Sequence, residues 1–151
     1  FGQDSKPPNI VMMIGDGMGL SAISSGMYSN NNYTSLERSE YIGLSKTHSF
    51  DDLVTDSAAS ATAMSSGVKT NNKVIGLDSN DNSVETILEM CIKLGYSTAI
   101  VVTSSIVHAS PASYYAHVEN RYEYDKPGTN KRQQQEQRSR KNSGWIISSS
   151  R

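Results

Sequence analysis

Four short stretches of the chain carry residues that could do chemistry. Gly15–Gly19 (GDGMG) sets Asp16 among glycines directly after the apolar run NIVMMI. Asp56–Ala58 (DSA) opens a stretch of alanines and hydroxyls that ends at Gly67. His108–Pro111 (HASP) puts His108 and Ser110 two residues apart, and Arg121 follows in HVENRYEY. A carboxylate at the carboxyl end of a strand suits a hard cation; the same residue also makes an Asx turn with no ligand at all. A serine hydroxyl becomes a useful nucleophile when a base, a metal or the N–H groups of a helix start stabilise its alkoxide. Ser57 stands where such a helix would begin, although Asp56 or Ser57 would serve equally as an ordinary N-cap. His108 and Ser110 on an extended segment would point the same way and could share one cation, or His108 could bond the backbone. Arg121 is either an ion-paired surface residue or a bidentate clamp for a phosphate. A dinucleotide site is disfavoured: the G-x-G-x-x-G pattern needs glycine where Leu20 stands, and Asp16 would repel a pyrophosphate.

These groups need elements to hold them. Asn9–Ile14 is short, apolar and stopped by Gly15, which predicts a buried strand. Leu20–Tyr28 predicts a short helix and Tyr41–Ser49 a second strand. Ala58–Ser66 predicts a helix of small residues with Gly67 at its C-terminal cap. In Ser83–Leu94 the apolar residues Val84, Ile87, Leu88, Cys91 and Leu94 recur at helical spacing, with Ser83 as N-cap and Gly95 at C′. Ser97–Thr103 then predicts another buried strand. Strand, helix and strand alternate, so the expected fold is α/β, with a mostly parallel central sheet covered by helices on both faces. Ligands in such sheets bind beyond the carboxyl ends of the strands, where GDGMG and HASP fall.

The chain has 151 residues and a net charge of -1, which gives no global pointer to nucleic acid or a membrane surface. No apolar run approaches the roughly 18–20 residues of a transmembrane helix. The first residues, FGQDSKPPNI, lack the basic and apolar regions of a signal peptide. The one cysteine, Cys91, excludes an internal disulfide and is expected in the core. Lys126–Arg151 holds seven basic residues against Glu136, a balance of +6, so residues 1–125 carry -7. This places a boundary near Asp125, with a basic, low-complexity tail expected to be disordered beyond it.

The three motifs in their order resemble the alkaline phosphatase family. NIVMMIGDGMG is similar to the family's first strand and metal loop. VTDSAASATAMSSGVKT is similar to its nucleophile segment, and HASPASYYAHVENR to the segment that carries magnesium ligands and a phosphate-gripping arginine. The resemblance covers about Pro8 to Asp125. It implies a metal-dependent phosphomonoester hydrolase with a phosphoserine intermediate. Asp16 would bridge a zinc and the magnesium, and Ser57 would be the nucleophile and a zinc ligand. Asp56 would help orient Arg121, which would hold two phosphate oxygens. His108 and Ser110 would stand at the magnesium site, where some family members have Asp and Thr. It further implies two Zn²⁺ sites and one Mg²⁺ site, small phosphate monoesters as substrates, a homodimer, and a periplasmic or secreted setting. The family's remaining zinc ligands and a magnesium Glu come from later segments than these motifs. The 151-residue chain is therefore expected to be a truncated, weakly active or inactive portion. A non-catalytic fragment that binds metal or phosphate is the alternative.

Overall fold

The computed structural model describes residues 9–123 and the backbone of Gly144–Ser148. The chain divides into two compact units, one ending at Ile42 and the other starting at Gly43.

In the first unit the Gly15–Gly19 turn leads into helix α1, Leu20–Ser29. Gly17 has φ 67°, the left-handed region that favours glycine, and the Met18 N–H closes the turn on the Gly15 carbonyl at 3.1 Å. A 3₁₀ turn at Ser35–Arg38 follows, fixed by a reciprocal capping box between Thr34 and Glu37. The predicted strand Asn9–Ile14 is not formed: the segment has no ladder partner among the described residues, and Val11 and Met13 are 83% and 90% exposed. A strand exists only when a neighbour takes its N–H and C=O groups. The predicted strand at 41–49, which straddles the two units, is absent for the same reason, with Tyr41, Ile42 and Leu44 exposed.

The second unit holds α2 (Ser57–Ser66), α3 (Ile87–Lys93), β1 (Thr98–Val102), the short α4 (Ala109–Ala112) and β2 (Gly144–Ser148). α2 starts and stops where its sequence dictates. Asp56 caps its N-terminus and Gly67, at φ 76°, closes its C-terminus. α3 begins four residues later than predicted. The cap is Thr86 rather than Ser83, because Thr86 and Glu89 complete a capping box that Ser83 cannot make. Gly95 takes the expected left-handed turn beyond α3. Cys91 is half-buried rather than central to the core.

α2 packs on α4, and small residues set their approach. Ala58, Ala109, Ala112 and Ala116 form the core with Ile75 and Tyr115. The hydroxyls scattered through α2 have buried work among them. Ser65 donates to the Ser113 carbonyl at 2.7 Å, and Thr62 accepts the Gly76 N–H at 2.9 Å. An alanine-and-hydroxyl helix thus satisfies neighbouring backbone that a leucine helix would leave unpaired. Gly76 is fixed by space as well as by its φ of 63°: a Cβ there would lie 2.1 Å from the Ala116 carbonyl oxygen.

β1 pairs in parallel with β2, Thr98 opposite Gly144 and Val102 opposite Ser148. The parallel sense agrees with the expected α/β architecture, but the described residues contain only this pair. β1 is not a fully buried strand: its residues alternate between half-buried and exposed. β2 lies in the segment that composition assigned to a disordered tail, and there the backbone runs as a strand; the rest of that tail lies outside the described residues.

Candidate active site

Asp56 is the centre of the candidate site. Its backbone is extended (φ -95°, ψ 174°), which turns its carboxylate back over the first turn of α2. Oδ1 accepts the Ala59 N–H at 2.9 Å, and the backbone carbonyl takes the Ser60 N–H at 3.1 Å. Oδ2 accepts the Lys73 N–H at 3.1 Å and Nη1 of Arg121 at 3.0 Å. The two ion-paired side chains are about equally exposed, Arg121 at 25% and Asp56 at 23%. That pair is shielded enough to matter and open enough for the guanidinium to meet a ligand. Arg121 also lies over the ring of Tyr122, 5.8 Å from its centroid. One carboxylate therefore caps the helix that starts at Ser57 and holds the arginine 65 residues further along the chain.

Ser57 is the first residue of α2 and is half-buried. The positive end of the helix dipole lies at its position and favours an anion there. His108 and Ser110 are brought to the same unit, at the start of α4, which packs against α2. Their local geometry differs from the expected extended segment. His108 is the exposed residue preceding α4, and Ser110 lies inside that helix. Residues two apart on a helix do not share a face, so the local reason for pairing them does not hold. Asp16 lies in the other unit, inside the Gly15–Gly19 turn.

Two contributors to the site, Asn72 and Lys73, were not legible in the motifs, nor was the His117 pair beside it. Asn72 accepts the Asp56 N–H on Oδ1 at 2.9 Å and donates from Nδ2 to the Val54 carbonyl at 2.9 Å. Its own N–H goes to Asp51 at 2.8 Å. That N–H above all holds the Asp51 carboxyl below its ordinary value; desolvation opposes it, and the Ser49 hydroxyl adds to the lowering. Lys73 gives its N–H to Asp56 and its carbonyl to the Arg121 N–H at 2.8 Å. It does so at φ 75°, which costs a non-glycine residue about 1 kcal/mol. His117, without a role in the motifs, is held between the Gly76 carbonyl at Nδ1 and Glu89 at Nε2, at 2.5 and 2.9 Å. Two acceptors facing both ring nitrogens favour the doubly protonated ring.

A protein zinc site takes three or four N, O or S ligands. Among the described residues no three His, Cys, Asp or Glu side chains group closely enough to hold a metal. The donors of these residues alone do not fit a complete zinc site.

An acid-capped helix that starts with a serine and is tied to an arginine has the donors to hold a phosphate, and comparison with known proteins points to a phosphatase family. The alkaline phosphatase family profile matches residues 7–146. The chain belongs to the alkaline phosphatase family. The match continues past Asp125, where the sequence reading had ended the resemblance. An alkaline phosphatase of Schizosaccharomyces pombe is 40% identical over 130 residues, 82% of this chain and 24% of that protein. Alkaline phosphatase 4 of Bacillus subtilis is 42% identical over 127 residues, 78% of this chain and 27% of that protein. The chain thus spans about a quarter of the length of these relatives. Among solved structures, alkaline phosphatase from the Antarctic bacterium TAB5 superposes with a TM-score of 0.67 at 46% identity, over 70% of this chain and 31% of that one. Variants of that enzyme with a histidine replaced by Asp or Glu carry Mg in its M3 site. Among the described residues no helix is long and apolar enough to cross a membrane.

Proposed function

We propose that this chain supplies the nucleophile and phosphate-gripping part of a metal-dependent phosphomonoesterase that works through a phosphoserine. The observation that carries this is the Asp56 carboxylate, which caps the Ser57 helix and holds Arg121 at once. Arg121 binds two oxygens of the phosphate, which places phosphorus before the Ser57 hydroxyl. The dipole of α2 favours the negative charge that gathers there. Ser57 Oγ forms the new bond to phosphorus as the ester oxygen leaves with the alcohol, and water then releases phosphate from the serine. Every named contact is to the phosphoryl group, so the alcohol is loosely specified and small phosphate monoesters are the substrate class. Asp16, Ser57, His108 and Ser110 are our candidate metal-contacting residues. Zn²⁺ and Mg²⁺, when bound, would neutralise phosphate charge and lower the serine pKa. Residues 1–125 form the N-terminal part of the phosphatase α/β domain in this reading, with its mostly parallel central sheet between helices. A homodimer and a periplasmic or secreted setting follow from the family alone.

The lack of a three-ligand cluster among the described residues favours a second reading, in which the chain assayed by itself is a non-catalytic fragment that binds phosphate or metal. Hydrolysis of a chromogenic phosphate ester at alkaline pH, with Zn²⁺ and Mg²⁺, separates the two. A slow rate that disappears in Ser57→Ala supports the first. Phosphate binding at Arg121 without any rate supports the second. A rate that survives Ser57→Ala removes Ser57 as nucleophile.

A further inference from the structure

We infer that the Asn72–Lys73 turn is a positioning element for the phosphate-binding pair, setting Asp56 and Arg121 against each other; this rests on the function proposed above. Two adjacent residues make four of the bonds that define the site. The Asn72 amide grips the Asp56 N–H and the Val54 carbonyl, so it spans the last residues before α2. The Lys73 N–H meets Asp56 Oδ2, the oxygen that also receives Arg121. The Lys73 carbonyl meets the Arg121 N–H. Side chain and backbone of Arg121 are thereby fixed to the same turn, one through Asp56 and one directly.

The backbone conformation supplies an independent sign. Among the described non-glycine residues, positive φ occurs at Asn31, Asn32, Asp81 and Lys73. Asn and Asp tolerate that region because their short polar side chains bond locally; lysine has no such compensation. A strained residue persists where its surroundings over-determine it, and such positions gather at functional sites. At Lys73 the surroundings are the two bonds to Asp56 and Arg121. An ordinary negative φ would swing the N–H and the carbonyl out of their present directions and break at least one. The turn is itself anchored from behind, since the Asn72 N–H bonds Asp51, which also takes the Ser49 hydroxyl. Asn72 and Lys73 touch no substrate in this account; they act through Asp56 and Arg121.

The test uses the full chain and three variants, Asn72→Ala, Lys73→Gly and Lys73→Val. Two readouts are taken: rotation of the Arg121 guanidinium by nitrogen NMR, and affinity for inorganic phosphate. In the wild type the guanidinium should rotate slowly. Lys73→Gly, which accepts positive φ freely, should keep it slow with a thermal midpoint no lower than wild type. Lys73→Val, whose branched side chain opposes that φ, and Asn72→Ala should free the guanidinium and weaken phosphate binding by about tenfold or more. A merely structural turn would lower the midpoint in Asn72→Ala and Lys73→Val while Arg121 stayed slow, and that result would overturn the proposal. So would an Arg121 that rotates freely in the wild type. If the guanidinium follows the expected pattern but no protein in the series binds phosphate, the positioning role stands and the phosphatase reading falls. Lys73 is exposed, so Lys73→Val read against Lys73→Gly keeps the test if Asn72→Ala fails to fold.

Discussion

Replacing Asp56 with alanine removes three interactions at once, and the structure allows their sum to be estimated. Loss of the N-cap bond to Ala59 costs about 1 kcal/mol. Loss of the Lys73 N–H bond to a charged acceptor costs about 1.5 kcal/mol. The ion pair with Arg121 is roughly three-quarters buried on both sides, which places it between exposed pairs and fully buried ones, at about 1–2 kcal/mol. The three share one carboxylate and are not independent, so we expect about 3 kcal/mol in all. For a chain of this size that lowers the thermal midpoint by about 10 °C. Asp56→Asn is the informative partner. Its amide oxygen can still cap α2, but its NH2 would then face the Lys73 N–H and the Arg121 guanidinium, so it should lose about 2 kcal/mol, the cap alone being kept. Urea unfolding of both variants, and of Arg121→Ala with each, gives the coupling between Asp56 and Arg121 directly, expected at about 1–2 kcal/mol. A loss below about 0.5 kcal/mol in Asp56→Ala, the scatter of ordinary surface changes, would refute the view of Asp56 as the hub. Equal losses in the Ala and Asn variants would remove the cap from the account, and an Asp56→Asn as stable as wild type would remove the ion pair.

His117 and Glu89 predict a pH dependence away from the site. Burial works against charge on the His117 ring, but its bonds to Glu89 and the Gly76 carbonyl outweigh this and raise its pKa above 6.5. Burial likewise pushes Glu89 up, and bonds from His117 and Thr86 outweigh it, leaving its pKa below 4.5. The His117 contribution is complete below its ordinary value and is lost as pH rises through the raised one, while the Glu89 contribution is complete above its ordinary value and is lost as pH falls through the lowered one. Stability from the pair should therefore be greatest between about pH 4.5 and 6.5 and decline on both sides. Urea midpoints taken from below that range to above it should show both declines, and Glu89→Gln should flatten the alkaline one. Gly76→Ala should cost about 3 kcal/mol or prevent folding, since its Cβ would meet backbone and not a movable side chain; an unchanged urea midpoint would contradict the turn's geometry. His108→Asp should bind Mg²⁺ more tightly than the wild type by titration, because a carboxylate suits that hard ion better than an imidazole; equal affinity would detach His108 from the magnesium site.

The parts of the fold legible in sequence are those set by local rules. α2 could be read from its small residues, its acid cap and Gly67, because each acts within a turn or two of the helix. The capping box at Thr86 and Glu89 was equally local. The helical spacing of the apolar residues extended through Val84, which drew the boundary too early. Strands were harder. Asn9–Ile14 has a strand's composition, yet no strand pairs with it among the described residues, and composition cannot supply one. Ser57, Asp56 and Arg121 carried enough chemistry in their residue types to be picked out. Asn72 and Lys73 did not: an amide and a lysine in a polar turn look like any loop. Their meaning lies in a left-handed φ and in bonds across 16 and 17 residues that only the folded chain forms.

The central claim is that Ser57 takes the phosphoryl group while Arg121 holds it. The most direct measurement is mass spectrometry of the chain after incubation with a chromogenic phosphate ester, Zn²⁺ and Mg²⁺, quenched in acid to preserve a phosphoserine. Slow release favours the measurement, because the covalent enzyme then accumulates before the quench. The account predicts one phosphoryl group, on Ser57, absent from Ser57→Ala and much reduced in Arg121→Ala. Ester consumed with no phosphoryl group on Ser57, or with the group on another residue, would contradict it.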